Sequence, residues 1–485
     1  MVTLTWLRGL FLNRRGRLIA TAAGVATAVA LIASIGTFTA STASKMTTRA
    51  AATVPVDWQV EVQPGFNPNS VLSTVRSSPN VTKALPIAIA PTGGLSSKTG
   101  GTVQTTGSGK VLGLPPGYAK AFPGEIRTLN GSPNGVVLAQ QTAANLHARP
   151  GDTIRIQRPG AGPVDLKVSG VVDLPAADSL FQRVGAPTGS QPQAPPDNVV
   201  LMPQSLFNRI EAPALNTNQV KTQIHTSLAH RLPANPSAAF TSVSGAARNL
   251  EVKLAGGGLV GDNLGVALDQ ARSDALYAQL LFLFLGIPGA ALVASITVVA
   301  TTAAADRRRR EAALLRTRGA STGRLVRIAV GEAIATGIIG VIVGLLAARA
   351  IGSIAFNTGS FGAGTTTAIY WAAGASVIGL TVAAAAIAIP GWRYARALTV
   401  AGQRRQIERR EGRPIWKRFG LDLIALAISG FIYWQASKNG YKLVLAPEGV
   451  PQISVNWYAL LAPVLAWIGV GLLSYRLAEM FLARG

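Results

Sequence analysis

The chain has 485 residues, a formal net charge of +24 and no cysteine, which excludes a disulfide framework and a thiolate metal site. Hydrophobic residues make up 48% of it, and they are concentrated in runs of about 20 residues, long enough to cross a bilayer. The Lys and Arg excess could by itself indicate nucleic-acid binding. Because it accumulates beside these runs, as in cytoplasmic loops of membrane proteins, no nucleic-acid partner is expected.

The first predicted span covers residues 18–40, so that residues 1–40 form a short N-terminus and a membrane helix. Four arginines precede the span and predict a cytoplasmic N-terminus; they are Arg8, Arg14, Arg15 and Arg17. A cleavable signal peptide is the alternative, since small residues follow Ala40. The apolar run exceeds the roughly 7–15 residues of a signal core, which favours a retained anchor.

Residues 41–274 change character and become rich in Gly, Pro, Ser and Thr. Short β-type runs alternate with helical patterns and with turns such as Pro150-Gly151-Asp152. The β-type runs are 57–62, 153–157, 166–172 and 198–202, and the helical patterns are 140–146 and 204–210. This pattern predicts an α+β domain outside the cytoplasm. The Gly/Ser/Thr-rich stretch 92–109 is expected to be a mobile loop.

A helical pattern resumes at residue 261 and continues without a break into a second span, residues 277–305. This predicts a stalk helix fused to a membrane helix. Further spans are predicted at 326–348, 369–390, 421–435 and 458–473. The fold class is therefore an α-helical polytopic membrane protein with six spans and an inserted α+β extracytoplasmic domain. Its parts are residues 1–40, 41–274, 275–396, 397–420 and 421–485.

Arginine distribution agrees with this topology. The loops after the second and fourth spans are the richest in arginine, whereas the outer loops between spans carry few charges. By the positive-inside rule both basic loops are cytoplasmic, which indicates a multi-pass protein of the cell membrane. The basic segment 397–420 is expected to lie on anionic membrane lipid as an interfacial helix.

The loop 306–325 between the second and third spans has the pattern of a short basic helix. Asp306 can cap its start, and Gly319 suits the left-handed position just past its end. Ser321 or Thr322 can then cap the third span. Such a helix could dock on a soluble partner and move both spans. The alternative is a basic anchor that touches lipid headgroups alone.

The string RRRREAALLRTRGAS (307–321), followed by the Gly-rich span RLVRIAVGEAIATGIIGVIVGLLAARAIG (324–352), resembles the FtsX/MacB-like permease family. The Pro-Gly-Asp turn and its flanking strands resemble that family's periplasmic core domain. The resemblance implies that the loop contacts a cytoplasmic ABC ATPase dimer. The matching positions are Glu311, Leu314, Leu315, Arg316, Gly319 and Ala320, and the same loop adds Arg307, Arg308, Arg309, Arg310 and Arg318 as candidates.

What the resemblance implies is a permease subunit of an ABC-type complex that exports or extracts a substrate. The alternative is mechanical transmission without transport, which would regulate a cell-wall hydrolase or sense antimicrobial ligands. A third reading is a membrane receptor without an ATPase. The two extra spans resemble longer, actinobacterial-type members in which two units are joined, so that a second permease half or a homodimer is expected. Segment 397–420 could also be a second ATPase contact.

Enzymatic motifs and cofactor sites are not predicted. Residues 107–111 resemble a phosphate loop, but Gln104 stands where the first Gly belongs and Val111 replaces the magnesium-binding hydroxyl. The histidines His147, His225 and His230 lack metal-site spacing and are expected to be solvated loop residues. ATP hydrolysis is expected on a separate subunit.

Glu332 is a carboxylate inside the third predicted span. Charged groups at such depth are costly and often functional. A structural role, with neutralisation by Arg324, Arg327 or a neighbouring helix, is favoured over a proton or substrate pathway.

Overall fold

A computed structural model describes residues 15–99, 101–181, 184–185, 194–211, 219–303, 305–356, 365–397, 417, 419–438, 444–445, 451–452 and 461–482. The chain divides into two compact units. The helical unit comprises Met1–Ser44, Asp274–Val444 and Gln452–Gly485, and the inserted domain comprises Lys45–Ser273 with Leu445–Pro451.

The helices and strands follow the chain in this order. The helices are α1 Arg15–Ala52, α2 Pro68–Arg76, α3 Tyr118–Ala121, α4 Gln140–Leu146, α5 Ala177–Leu180, α6 Gln204–Glu211, α7 Pro236–Lys253, α8 Asn263–Ala303, α9 Ala305–Thr317, α10 Thr322–Phe356, α11 Thr365–Ala383, a π-helical turn Ala384–Ala388, α12 Ile389–Ala397, α13 Leu421–Lys438 and α14 Leu461–Leu482. The strands are β1 Trp58–Val62, β2 Val81–Thr92, β3 Gly94–Thr99, β4 Thr102–Thr105, β5 Gly109–Leu114, β6 Arg127–Gly131, β7 Val136–Ala139, β8 Thr153–Gln157, β9 Val164–Asp173, β10 Val199–Pro203, β11 Lys221–Leu228, β12 Gly258–Asp262, β13 Val444–Leu445 and β14 Pro451–Gln452.

The inserted domain is built on a mixed sheet of 12 strands, counted over the described residues. Its order is β12-β1-β11-β2-β5-β10-β7-β9-β8-β3-β4, with β6 paired to β9. The pairs β5–β10 and β7–β9 are parallel, which requires crossover connections rather than simple hairpins. The predicted α+β character of this region is confirmed.

Three apolar cores stabilise the inserted domain. One lies around Trp58 and Val60 of β1, where α2, α7, the end of α1 and the start of α8 pack. A second surrounds Leu138 and Phe207, and a third surrounds Phe122. These are large side chains removed from water, each of which stabilises the fold by about 1.5–3 kcal/mol relative to exposure.

The stretch 92–109, expected to be a mobile loop, instead forms strands β3 and β4 and the start of β5. Leu95 and Ser97 of β3 are 1% and 2% exposed, so alternate residues of this polar strand face the interior. Thr92 Oγ1 donates a hydrogen bond to the Gln157 carbonyl at 2.7 Å. Strand pairing and hydrogen bonds from hydroxyl side chains order this stretch, although its low hydrophobicity predicted a mobile loop.

The histidine expectation is wrong for His225, which lies in strand β11, between β1 and β2, and is fully buried. Its Nδ1 is 2.7 Å from the Tyr118 hydroxyl, and burial lowers its pKa to about 3. His230 does lie in a loop, but its Nε2 is 2.9 Å from Asp57 Oδ1. His147 is exposed and ends α4 with a φ of 50°.

In the part of the chain that the structure describes, three helices are long and apolar enough to cross a membrane: Leu18–Ala52, Thr322–Ala355 and Thr367–Arg396. They contain the first, third and fourth predicted spans. Helix α8 covers residues 277–303 of the second predicted span but is not among the three, and the last two predicted spans correspond to shorter apolar helices, Leu421–Gln435 and Leu461–Leu473. A count of six spans stays a prediction.

Small residues allow close packing in the helical unit. A Cβ placed on Gly344 of α10 would lie 2.7 Å from the Ala26 carbonyl oxygen of α1, and one on Gly340 would lie 2.6 Å from Val25 Cγ1. Gly379 of α11 approaches Val29 in the same way, at 2.5 Å from its Cγ2. Gly-x-x-x-Gly spacing is a common device for bringing membrane helices together, and α1 is the helix that these glycines contact.

Candidate functional site: the helix between the second and third predicted spans

Helix α9 ends in the Gly319 turn that the sequence predicts. Gly319 has a φ of 86°, which glycine adopts without a steric penalty. The Ala320 N–H donates to the Leu315 carbonyl at 3.0 Å, and the Gly319 N–H donates to the Arg316 carbonyl at 2.9 Å. These two bonds define a Schellman motif. The predicted C′ role of Gly319 is confirmed.

Ser321 begins the next helix, as one of the two predicted caps. Its Oγ accepts a hydrogen bond from the Arg324 N–H at 3.4 Å, and its carbonyl accepts from the same N–H at 3.0 Å. Because four residues separate α9 from α10, the connection has little freedom.

Arg316 joins α9 to two further elements of the helical unit. Its Nη1 donates to Thr322 Oγ1 at 2.7 Å and to the Ala395 carbonyl at 3.1 Å. Ala395 lies in the last turn of α12, where unpaired carbonyls and the helix dipole favour a cation. The sequence could not indicate this contact, because 79 positions separate the two residues. Arg316, which was predicted to contact the partner, thus forms hydrogen bonds within the protein.

The inner face of α9 packs on α10 and α12. Glu311, Ala312 and Leu315 line a small cavity of about 60 Å³ together with residues of those two helices. The cavity lining also includes Leu325, Ile328, Ala329, Glu332, Ile387, Gly391 and Tyr394. Ile387 belongs to the π-helical turn, a local irregularity that often marks functional positions in helices.

The outer face of α9 is open. The Leu314 side chain is 63% exposed, and Thr317 and Arg318 are also exposed. Arg307, Arg308, Arg309 and Arg310 lie in the first part of the helix. The predicted site residues therefore separate into an inner group around Leu315 and Arg316 and an outer group around Leu314 and Arg318.

Glu332 is 5% exposed and lines the same small cavity as Glu311 and Tyr394. The two arginines proposed as neighbours, Arg324 and Arg327, are exposed, and Arg327 Nε donates to the Gly323 carbonyl. Glu332 thus faces packed protein from α9 and α12. The basic segment 397–420 lies outside the described residues except for 397, 417, 419 and 420.

Two family models match successive parts of the chain. The model of the MacB-like periplasmic core domain matches residues 18–254, and that of the FtsX-like permease C-terminal domain matches residues 283–398. No curated protein matches. A crystal structure of a domain assigned as a permease protein from Porphyromonas gingivalis aligns at 14% identity over 42% of this chain and 87% of that chain, with a TM-score of 0.22. That TM-score supports no structural argument.

The two family matches define a permease-type membrane component. The chain belongs to the FtsX/MacB-like permease family. Family members work with a cytoplasmic ATPase in ABC systems, and an ABC-type permease role follows for this chain.

Proposed function

We propose that α9 is the coupling helix on which a cytoplasmic ATPase dimer docks. Motion of that dimer drives the inserted domain, which lies outside the cytoplasm and exports or extracts a substrate. Membrane lipid surrounds the helical unit, and a second permease half or a second copy completes the complex. The exposed Leu314 on a helix that is otherwise fixed to α10 and α12 is the observation that carries the proposal.

The exposure of Leu314 supports docking, because a leucine side chain gains free energy when a partner removes it from water. It lies one position from Leu315, which packs inward, and four positions from the exposed Arg318. An exposed leucine flanked by cations can bury apolar area in a partner while the cations pair with acidic groups. A lipid-headgroup anchor would need the cations but not a leucine pointing away from the bundle.

The helices give the route for the motion. Helix α9 is tied to α10 by the Ser321 cap and to α12 by Arg316, and α10 contacts α1 through Gly340 and Gly344. Helix α1 is a continuous helix of 38 residues, and α8 is one of 41 residues. Their far ends contribute Ala50, Ala51, Leu264 and Leu268 to a core of the inserted domain. Such helices can act as levers between membrane and domain.

The test uses the double variant Leu314→Asp with Arg318→Glu in the full chain. Both residues are exposed, so the fold is expected to survive while the docking surface loses its apolar anchor and reverses a charge. Affinity purification should then recover the permease without its ATPase, identified by a Walker A peptide in mass spectrometry. Undiminished recovery of the ATPase contradicts the proposal.

Val252→Asp is the matched control. Val252 is an apolar residue that is 80% exposed on α7 of the inserted domain, so the variant introduces the same acidic group at an exposed site away from α9. It should leave ATPase recovery unchanged. Arg316 is unsuited to this test, because its replacement removes the contact with Ala395 as well as a positive charge.

A further inference from the structure

Two aspartates lie where the segment that follows α1 meets the start of α8. Asp57 follows the end of α1, and Asp262 directly precedes Asn263, the first residue of α8. The Leu264 N–H donates a hydrogen bond to the Asp57 carbonyl at 3.1 Å. Asn263 Nδ2 donates to the Val56 carbonyl at 3.0 Å. The segments leaving α1 and entering α8 are therefore joined at one point, which we name the aspartate junction after Asp57 and Asp262.

The Asp57 carboxylate is buried and has one partly exposed partner. Asp57 is 1% exposed, and its Oδ2 accepts from the Leu228 N–H at 2.6 Å. His230 Nε2 lies 2.9 Å from Oδ1 and 3.0 Å from Oδ2. Burial raises the pKa of Asp57, and the bonds to Leu228 and His230 oppose that shift. The His230 side chain is 37% exposed, so it is accessible to protons from water, and its charged form neutralises Asp57.

The hydrogen bonds of the Asp262 carboxylate allow it to bind a proton without losing a partner. Its Oδ1 accepts from Trp58 Nε1 at 3.1 Å and from the Gly265 N–H at 2.8 Å, and both of these groups can only donate. Its Oδ2 accepts from the Ser244 hydroxyl at 3.2 Å. A hydroxyl can also accept a hydrogen bond. A proton on Oδ2 can therefore be donated to Ser244 Oγ while both bonds to Oδ1 remain.

Each element packed around Asp262 contributes few charges. Helix α7 presents Ser244, and the charged residues further along it are the exposed Arg248 and Glu251. Glu251 Oε1 accepts the Val260 N–H at 2.9 Å. The first turn of α8, residues 263–266, contains no charged residue. The remaining charged groups of the junction are Asp57, before β1, and His230, after β11.

Two negative charges thus lie close together with one titrating cation. Burial, the largest influence, and the negative charge of Asp57 raise the pKa of Asp262, whereas its three hydrogen bonds lower it, and the result is about 6. At neutral pH the ionised Asp57 and Asp262 repel each other within packed protein. Mild acid places a proton on Asp262 and charges His230, so that the junction becomes neutral.

We propose that the aspartate junction is a pH switch, in which a proton on Asp262 stabilises the contact between the segment that follows α1 and the start of α8. The proposal deepens the proposed function, because it adds regulation to the two helices that act as levers. It rests on that function for the location of the junction outside the cytoplasm and for what the levers transmit. Proton binding itself needs no ATPase.

The direction of the effect follows from proton linkage. The pKa of Asp262 is raised from 3.8 to about 6 in the closed junction, so the closed junction retains a proton that an opened junction releases. The stabilisation is complete below pH 3.8 and is lost as the pH rises through 6. An acidic exterior therefore holds the start of α8 more firmly than a neutral one.

Hydrogen–deuterium exchange of the full chain, in phosphatidylcholine nanodiscs and without an ATPase, measures how often the junction opens. Protection of the amides in residues 263–268, corrected for the intrinsic exchange rate, is compared at about pH 4.5 and about pH 7.5. It should be about twentyfold higher in acid, the ratio that the shift from 3.8 to about 6 gives over this interval. Equal protection at the two pH values overturns the proposal.

Asp262→Asn tests the proton site, because asparagine reproduces the protonated carboxyl. Its oxygen can accept from Trp58 and Gly265, and its NH₂ group can donate to Ser244 Oγ. Residues 263–268 of this variant should be protected to the acid level of the wild type at both pH values. Asp165→Asn is the matched control, at an aspartate that is 50% exposed, and it should keep the wild-type pH response. A full pH response in Asp262→Asn contradicts the assignment.

His230→Gln separates the two titrating groups. Glutamine keeps an N–H donor for Asp57 but does not titrate, so the pH response of residues 263–268 should persist. If the response is lost in His230→Gln and retained in Asp262→Asn, the histidine is the sensor and the proposal is wrong. ATPase co-purification does not depend on the proton, so failure of the docking proposal and failure of the pH switch are recognised separately.

Discussion

The interiors of the inserted domain and of the helical unit are packed with residues of different size. The inserted domain buries large side chains completely, such as Trp58, Phe122 and Phe207. The core of the helical unit consists instead of Val and Ala residues around α1, into which glycines of α10 and α11 fit. In water, large apolar side chains gain most by burial, whereas in lipid close backbone approach replaces that driving force.

Hydroxyl groups show part of the same division. In the long apolar helices several donate to their own backbone, as Thr37 Oγ1 does to Ala33 O at 2.9 Å and Thr381 Oγ1 does to Val377 O at 2.8 Å. In the inserted domain several instead join distant segments, as Thr142 Oγ1 does when it accepts from the Val199 N–H at 2.7 Å. Water is absent from the bilayer core, so helical polar groups are satisfied locally.

Phe207→Ala should have the largest effect on the inserted domain. The side chain is fully buried, and removal of such a ring costs about 3–5 kcal/mol of unfolding free energy through lost transfer energy and a cavity. Pulse proteolysis of the full chain in urea measures it. Phe66→Ala, at a phenylalanine that is 47% exposed, should cost much less; equal losses would contradict the core assignment.

Gly344→Leu should break the helical unit by overpacking rather than by a cavity. The new side chain would meet the Ala26 carbonyl and Val29, and such clashes cost about 1–3 kcal/mol or more. Gly374→Leu is the matched control on α11, because a Cβ there has no neighbour within 4 Å. Thermal unfolding in detergent should separate the two variants by a lower midpoint for Gly344→Leu.

Glu125→Gln should change how stability depends on pH. The folded-state pKa of Glu125 is raised from 4.5 to about 8 by burial, so the folded protein holds a proton that the unfolded chain has released. Its unfolding free energy therefore falls as pH rises from 4.5 to 8. The variant lacks this loss, so its unfolding free energy should exceed that of the wild type by several kcal/mol at pH 8, since each pKa unit corresponds to about 1.4 kcal/mol. A parallel pH profile would contradict the assignment.

Arg316→Lys should have the smallest effect of the four. A lysine keeps the charge but cannot reproduce the planar fork of arginine, so the bonds to Thr322 and Ala395 are expected to weaken by about 1 kcal/mol. Thermal unfolding of the helical unit in detergent measures it. The exposed Arg318→Lys should be neutral, and an equal loss there would show that Arg316 has no special structural role.

Local chemistry made much of the fold predictable. The Gly319 turn and the Ser321 cap follow from residue type and position, and the strands around 58–62 and 153–157 follow from alternation and flanking turns. The apolar run 18–40 predicts most of α1, and the helical pattern that continues into the second predicted span predicts α8. These features depend on residues close together in the chain.

Long-range pairing explains what was missed. Polar strand β3 pairs with β8, some 60 positions later, and the buried His225 is hydrogen-bonded to Tyr118, 107 positions earlier in the chain. The contact between Arg316 and Ala395 likewise depends on how α12 folds back. The separation of the α9 residues into inner and outer groups could not be predicted, because it depends on which face packs against α10 and α12.

The central claim is that α9 faces the cytoplasm and the inserted domain faces outward. The chain contains no cysteine, so single-cysteine variants report accessibility without background. In intact cells, a membrane-impermeant maleimide should label Val252→Cys and leave Leu314→Cys unlabelled until the membrane is permeabilised. Labelling of Leu314→Cys in intact cells, with Val252→Cys protected, would contradict the orientation and the docking of the ATPase on α9.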